Sequence, residues 1–243
     1  MVRHRALLID FAGTREATSF HSWPDDILER CDLALGRDDG ALPASALEYA
    51  AMLADRIEPA RPRHIMAFCL AAGIAQLVAR ILTDRGGEPV LLTAFDPTVC
   101  EPADLQVAYE AVAGQIVGAD AVPILRLDLN TVAATPQKAV EAITEDLQRR
   151  ACIALGRSFR LDDALVNGLV DRYMRWLRYL ALAIDCDWPR WDGQATRIMS
   201  AEYDAALPWP GVDAVVSHRV DVPQVGLLAS PDVHSLVRRR LLT

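Results

Sequence analysis

Residues 64–82 read HIMAFCLAAGIAQLVARIL, and this stretch decides the fold. It opens with an apolar run typical of a buried strand, and residues 74–82 carry apolar side chains at helical spacing. The turn between them is rich in small residues, which lets a strand and a helix pass close together. The sequence therefore predicts a strand, a sharp turn and a helix, with Cys69 projecting from the turn.

This turn resembles a nucleophile elbow. Residues 67–71 read A-x-C-x-A, which is similar to the G-x-S-x-G elbow of α/β-hydrolases with Cys69 at the serine position. A helix N-terminus favours the reactive thiolate, and nearby backbone amides can stabilise an oxyanion. We expect these amides to belong to Leu70 and to Ala12, in the loop after the first strand. The alternative is that Cys69 is a small buried side chain, as free cysteines often are.

Composition and charge exclude several classes of protein. The chain has 243 residues, of which 52% are hydrophobic and 24% charged, as expected of one large globular domain. A net charge of −8 argues against a general nucleic-acid binder, whose surface is basic. No stretch is long and apolar enough to span a bilayer, and the N-terminal run resembles a first strand more than a signal peptide.

The cysteines give no sign of a disulfide framework or a zinc site. They stand at positions 31, 69, 100, 152 and 186, an odd number without C-x-x-C spacing. We therefore expect a protein of the reducing cytoplasm with no metal and no redox cofactor.

Strands and helices alternate along the first hundred residues. Residues 5–11 and 89–95 are predicted as buried strands, and residues 45–57 as a helix that Ser45 caps. Residues 27–35 fit either a short helix or a strand. This alternation favours a parallel sheet covered by helices.

The pattern turns helical from about residue 103 to 187. Three helices are predicted there, at 104–117, 136–155 and 162–184, with one short apolar piece near 122–125. We interpret the region as a helical lid inserted into a single α/β domain of residues 1–243. Two strands and a closing helix are then predicted at 197–203, 214–222 and 230–242.

Asp96 directly follows the strand 89–95. In a parallel sheet the carboxyl ends of neighbouring strands meet at one edge, where ligands bind. We therefore expect the Asp96 carboxylate beside Cys69. The alternative is that Asp96-Pro97 only forms a turn.

Nearly the whole chain resembles the thioesterases of nonribosomal-peptide and polyketide synthesis, both the discrete type II editing enzymes and the terminal release domains. The resemblance includes the opening strand and loop LLIDFAGT at 7–14, the aromatic residues Phe20 and Trp23, the elbow, the helical insertion and the stretch 224–231. It implies an α/β-hydrolase fold with a helical lid and Asp96 as the triad acid. It also implies chemistry on an acyl or peptidyl thioester carried on the phosphopantetheine arm of a carrier protein.

The chain departs from this family at two positions. Cys69 replaces the serine, and Gln224 stands where the family's histidine is expected. His218 is our first candidate for the base, and His21 is the second. A cysteine depends less on a base than a serine does, because part of it is thiolate near neutral pH.

These observations lead to two functions of different classes. The first is a thioesterase-like enzyme of secondary metabolism that forms an acyl intermediate on Cys69 from a hydrophobic acyl thioester. Hydrolysis, acyl transfer and cyclising release all remain open, although a missing base favours transfer. The alternative is an inactive binding protein of the same pathway, because losing the elbow glycines, the serine and the histidine together is typical of a non-catalytic relative. A general esterase is a third reading, but it should have kept a histidine in line with the site.

Overall fold

The computed structural model describes residues 5–10, 19–20, 23–24, 29–34, 43–57, 62–86, 90–117, 123–156 and 164–241. Its strands are β1 Arg5–Ile9, β2 Glu29–Ala34, β3 His64–Phe68, β4 Leu91–Phe95, β5 Ala195–Met199 and β6 Val215–Arg219. They form one six-stranded sheet in the order β2-β1-β3-β4-β5-β6, and every neighbouring pair is parallel. The predicted α/β fold with a parallel central sheet is confirmed.

Helices occur in both of the compact units into which the chain divides. They are α1 Ala46–Ile57, α2 Ala71–Asp84, α3 Pro102–Val117, α4 Leu129–Ala134, α5 Pro136–Ala154, α6 Ala164–Ile184 and α7 Pro231–Leu241. One unit comprises residues 1–99 and 186–243 and contains the sheet, and the other comprises residues 100–185 and contains α3 to α6. None of the helices described could cross a membrane by its length and apolarity.

The start of α1 follows from its local sequence. Ser45 Oγ accepts a hydrogen bond from the Glu48 amide (3.1 Å), and the Glu48 carboxylate accepts one from the Ala44 amide (3.2 Å). These bonds satisfy amides that have no partner inside the helix. The predicted cap at Ser45 is therefore confirmed.

Several element boundaries differ from the prediction. The ambiguous segment 27–35 contains strand β2, and the described part of 122–125 forms no strand. Helix α4 has no counterpart in the prediction, because a helix of six residues is too short to show a period. Strand β5 ends at Met199 rather than at residue 203, since the Ser200 amide donates to the Asp96 side chain (2.8 Å) instead of to a neighbouring strand.

A buried glutamine fastens α2 to Pro189 and to the segment 209–210. Gln76 is fully buried and donates to the carbonyls of Pro189 (2.6 Å) and Pro210 (3.0 Å). Its Oε1 accepts a hydrogen bond from the Trp209 indole (2.8 Å). Burying this amide costs little free energy because its oxygen and its nitrogen both have hydrogen-bond partners. The contact holds in place the helix whose N-terminus follows Cys69.

The first turn of α2 also needs a residue without a side chain. A Cβ built on Gly73 would lie 2.7 Å from Cys186 Sγ and 3.2 Å from the Trp188 ring. Gly73 therefore allows residues 186–188 to lie directly against the helix.

A buried ion pair organises the helical unit. Arg150 has no exposed surface and donates through Nε to Asp146 (2.5 Å) and through Nη2 to the Pro123 carbonyl (2.6 Å). Tyr109 donates its hydroxyl to the same Asp146 carboxylate (2.6 Å). These bonds connect α3, α5 and the segment after α3, and they satisfy a charge that would be costly to bury alone.

Candidate active site

Cys69 occupies the tight bend between β3 and α2. Its φ of 55° lies in the left-handed region, which costs a residue with a Cβ roughly 1–2 kcal/mol. Leu70 already has helical angles, and α2 begins at Ala71. Ala67 and Ala71, the small residues on either side of the bend, are completely buried. The Cys69 side chain itself is half-buried.

Main-chain hydrogen bonds hold this strained bend. The Cys69 amide donates to the Phe95 carbonyl (2.8 Å), and the Cys69 carbonyl accepts from the amides of Ala72 (3.2 Å) and Thr98 (3.4 Å). Phe95 and Thr98 lie on either side of Asp96 in the sequence, so these bonds tie the bend to the end of the neighbouring strand β4. Strained residues that are held in this manner are typical of functional sites.

Asp96 lies at the carboxyl end of β4, beside the bend. Phe68 pairs with Phe95 across the sheet, so Cys69 and Asp96 are the next residues of two adjacent strands. Asp96 also has a left-handed backbone, with φ 46°, and its side chain is fully buried. Its amide donates to the Ile198 carbonyl (3.0 Å), and its Oδ1 accepts from the Ser200 amide (2.8 Å).

The electrostatic environment of Asp96 is set mainly by its burial. Desolvation raises the pKa of the Asp96 carboxyl above its ordinary value, while the Ser200 amide and the side chains of Ser200 and Gln224 lower it, and Glu202 raises it again. Within the described part of the chain, Oδ2 has no hydrogen bond of standard geometry. The side chains of Ser200 and Gln224 lie close enough to the carboxyl to stabilise its charged form.

The segment that contains Gln224 is tied to the turn after β5, close to Asp96. The Ala201 amide donates to the Val222 carbonyl (2.9 Å), and the Gln224 amide donates to the Glu202 carboxylate (3.1 Å). Gln224 opens a short 3-10 helix, Gln224–Gly226, which leads towards α7. The structure thus places this residue beside the carboxylate that a base would contact in a triad.

The predicted base His218 lies elsewhere on the sheet. It is a residue of the edge strand β6 and pairs with Ile198, which pairs with Phe95 of β4. Two strand spacings, roughly 10 Å, therefore separate its backbone from that of Phe95. The side chains that act most strongly on the Asp96 carboxyl are those of Ser200, Gln224 and Glu202. The role of His218 stays a prediction, and Ala12 and His21 lie outside the described residues.

Tyr203 belongs to the site although sequence reasoning assigned it only to a strand end. Its hydroxyl donates to the Pro97 carbonyl (2.5 Å), and the Arg197 guanidinium lies 6.0 Å from the centre of its ring. Burial is the main cause that raises the pKa of the Tyr203 phenol; Arg197 lowers it, and Asp96 and Cys69 raise it again. Tyr203 therefore lies within electrostatic reach of both residues and braces the loop after Asp96. No sequence motif marks it, because this contact is purely tertiary.

Asp10 organises the neighbouring end of β1. Its buried Oδ2 accepts hydrogen bonds from the Ser19 hydroxyl (2.9 Å) and the Phe20 amide (2.5 Å). Phe20 in turn packs its ring 5.5 Å from those of Trp23 and Phe95. Phe20 and Trp23, the aromatic residues noted in the sequence, thus pack against Phe95, the residue before Asp96.

Across the described residues, His, Cys, Asp and Glu side chains form no group of three that could hold a metal ion. The chemistry that these residues offer is that of a thiol at a helix N-terminus with a buried carboxylate and an amide beside it.

Comparisons with known proteins identify the fold. No family model and no curated protein matches the chain. Solved structures of thioesterases match it over nearly its whole length. RedJ, a thioesterase from the prodiginine biosynthetic pathway in Streptomyces coelicolor, is 18% identical, with a TM-score of 0.52 over 98% of this chain and 89% of RedJ.

Two thioesterase domains give similar values. The NocB domain in covalent complex with a fluorophosphonate nocardicin G analogue is 15% identical, with a TM-score of 0.56 over 99% of this chain and 95% of that one. The Vlm2 domain carrying 2,3-diaminopropionic acid and a dodecadepsipeptide is 16% identical, with a TM-score of 0.53 over 99% and 95%. At these identities the likeness shows that the chain has the α/β-hydrolase fold of these thioesterases.

Proposed function

We propose that this protein is a thioesterase-like enzyme that takes an acyl or peptidyl group from a carrier-protein thioester onto Cys69. One observation carries the proposal: a half-exposed thiol in a strained left-handed bend, at a helix N-terminus, directly beside a buried carboxylate on the next strand. A cysteine kept only for packing would not need this backbone conformation. The fold that the chain shares with thioesterase domains supports the same chemistry.

The first half of the proposed reaction is a thioester exchange. The Cys69 thiolate attacks the carbonyl carbon of the substrate, and the carbon–sulfur bond to the carrier's phosphopantetheine arm breaks. The carrier leaves as a thiolate and takes up the proton that Cys69 released. Backbone amides, for which Leu70 and Ala12 are our candidates, would stabilise the oxyanion of the tetrahedral intermediate.

The second half releases the acyl group to water, an amine or an alcohol. Asp96 would orient the acceptor, and His218, the base predicted from the sequence, would be needed only when the acceptor is water. No metal or redox cofactor takes part in this scheme, and the apolar acyl chain and its carrier protein are the partners it needs.

Acylation of the protein tests the proposal directly. The folded protein is incubated with an octanoyl thioester of N-acetylcysteamine, and the intact mass is measured. We expect a gain of one octanoyl group that is absent in Cys69→Ala and retained in Cys152→Ala, a buried cysteine of the helical unit. An adduct that persists in Cys69→Ala would contradict the proposal.

A second function has one observation in its favour. The side chain beside Asp96 is an amide, which cannot relay a proton as an imidazole does. The chain could then bind an acyl carrier without turning it over. Binding of an acyl carrier protein by the folded chain, with no acyl adduct on Cys69, would identify this function.

A further inference from the structure

We propose that Gln224 is the residue that determines the acyl acceptor: it fills the place of a base with a neutral amide, so that the acyl group on Cys69 passes to an amine rather than to water. This inference rests on the proposed function and deepens it. Gln224 would act on Cys69 through its position beside Asp96, and we therefore treat it as a specificity-determining residue.

The geometry that places Gln224 there is a chain of short contacts. Asp96 Oδ1 accepts from the Ser200 amide (2.8 Å), and the next residue, Ala201, donates to the Val222 carbonyl (2.9 Å). The Gln224 amide is held by the Glu202 carboxylate (3.1 Å). The turn after β5 thus ties the segment of Gln224 close to Asp96, and the Gln224 side chain acts on the Asp96 carboxyl.

Asp96 cannot itself serve an incoming water molecule. Its carboxylate has no exposed surface, and its Oδ2 makes no hydrogen bond of standard geometry within the described part of the chain. In a triad this oxygen would accept the ring N–H of an imidazole, which would then carry the proton. The site therefore has a buried carboxylate with the Gln224 amide beside it, where a triad would have its proton carrier.

The other titratable groups around position 224 do not replace an imidazole. Glu202 uses one carboxylate oxygen to accept the Gln224 amide, and a carboxylate is a much weaker base than an imidazole. The Tyr203 hydroxyl donates to the Pro97 carbonyl, and burial raises the pKa of this phenol. A protonated phenol cannot accept a proton from water near neutral pH.

Water and an amine differ in whether they need a base to attack the acyl group on Cys69. Water attacks a thioester efficiently only when a base removes its proton, which is worth about 10²–10⁴ in rate. An uncharged primary amine attacks with its own lone pair. The carbon–nitrogen bond forms, the carbon–sulfur bond to Cys69 breaks, and the surplus amine proton passes to the departing thiolate. The products are an amide and the free thiol.

The test compares the decay of an acyl group already placed on Cys69. The octanoylated protein is freed of excess thioester and incubated in buffer alone or with glycinamide, and the adduct and its products are followed by mass. For the native protein we expect slow hydrolysis in buffer and faster loss, as octanoyl-glycinamide, when the amine is present.

Gln224→His supplies the missing base. We expect its adduct to hydrolyse about tenfold faster or more in buffer, with a rate that rises with pH as the imidazole loses its proton. Val225→His is the matched control, because it adds the same imidazole one residue further on, at a position that is 51% exposed. Its adduct should decay as the native one does. Equal decay of Gln224→His and Val225→His, with both folded, would overturn the proposal.

Two further measurements keep the proposal testable if the first variant does not fold or if no adduct forms. Gln224→Ala leaves space beside Asp96, and added imidazole should then speed hydrolysis of its adduct more than that of the native protein. Alkylation of Cys69 by iodoacetamide at pH 6 needs no thioester substrate, and Gln224→His should accelerate it because a nearby imidazolium favours the thiolate. A native protein that forms no adduct would refute the proposed function, whereas unchanged alkylation in a folded Gln224→His would refute this inference.

Discussion

Two residues of the candidate site share an unusual backbone conformation. Cys69 and Asp96 both have positive φ, at 55° and 46°, and neither is a glycine. They follow paired strand ends, and the amide of each donates a hydrogen bond to a carbonyl of the neighbouring strand. Packing alone does not require this strain, since a glycine would relieve it at either position. Strain that the surrounding structure holds in place is typical of functional sites.

Substitution of Cys69 measures this strain. Cys69→Gly and Cys69→Ala both remove the thiol, but only alanine keeps a Cβ in the left-handed region. We expect the glycine variant to be more stable than the alanine variant by roughly 1 kcal/mol, as measured by urea denaturation. Neither variant should form an acyl adduct. An alanine variant as stable as the glycine variant would show that the bend is not strained.

Helix α2 is fixed in place by two tertiary contacts that lie close to Cys69. Gln76 forms hydrogen bonds with Pro189, Trp209 and Pro210. Gly73 lets residues 186–188 approach the first turn of the helix. Both contacts lie within two turns of Cys69. The N-terminus of the helix therefore cannot shift without losing buried hydrogen bonds.

Gly73→Ala tests the close approach at this helix. The added methyl group would lie 2.7 Å from Cys186 Sγ, and we expect overpacking to reduce the free energy of unfolding by about 1–3 kcal/mol. Gly114→Ala is the control. It lies inside α3 with no heavy atom within 4 Å of the added methyl group, and we expect it to stabilise the helix by roughly 0.5–1 kcal/mol. A Gly73→Ala protein with native stability would show that the segment moves aside freely.

At the scale of the whole molecule, the parallel sheet brings together residues of the candidate site that are far apart in the sequence. Asp10, Cys69, Asp96 and Ser200 each directly follow a strand, β1, β3, β4 and β5 respectively. Because all these strands run in the same direction, their carboxyl ends lie at one edge, as is usual for ligand sites in such sheets. The buried carboxylate at this edge makes the stability of the fold depend on pH.

Asp96→Asn should change this pH dependence. Burial raises the pKa of Asp96 above its ordinary value of 3.8, so the folded chain holds this proton more tightly than the unfolded chain does. The resulting stabilisation is present below pH 3.8 and is lost as the pH rises through the raised pKa. Asparagine has no such proton. The stability of the native protein relative to Asp96→Asn should therefore fall as the pH rises from 3.8, and then level off.

Denaturant titrations of both proteins from about pH 3.5 to pH 8 measure this difference. A difference that stays constant over the range, or that grows in favour of the native protein as the pH rises, would contradict a raised pKa of Asp96.

The sequence predicted secondary structure correctly where a segment was long or where the interactions that form it lie between near neighbours in the chain. The run 64–82 predicted β3, the bend and α2, and Ser45 predicted the start of α1, because apolar period and capping act between neighbours in the sequence. Helix α4 escaped this reasoning because it is too short to show a period. The end of β5 escaped it because the Ser200 amide is taken by a side chain 104 residues away in sequence.

The sequence by itself determined the parallel α/β fold, the bend that carries Cys69 and the position of Asp96 at the end of the next strand. These features depend on apolar periodicity, on small residues and on the alternation of strands and helices, all of which are visible along the chain. Only the tertiary structure decided which side chains surround that carboxylate. Ser200 and Tyr203 reach the site through contacts between segments that are far apart in the chain, whereas Gln224 was found through the family resemblance. Such contacts leave no local pattern, because they depend on how the strands and turns pack and not on spacing along the chain.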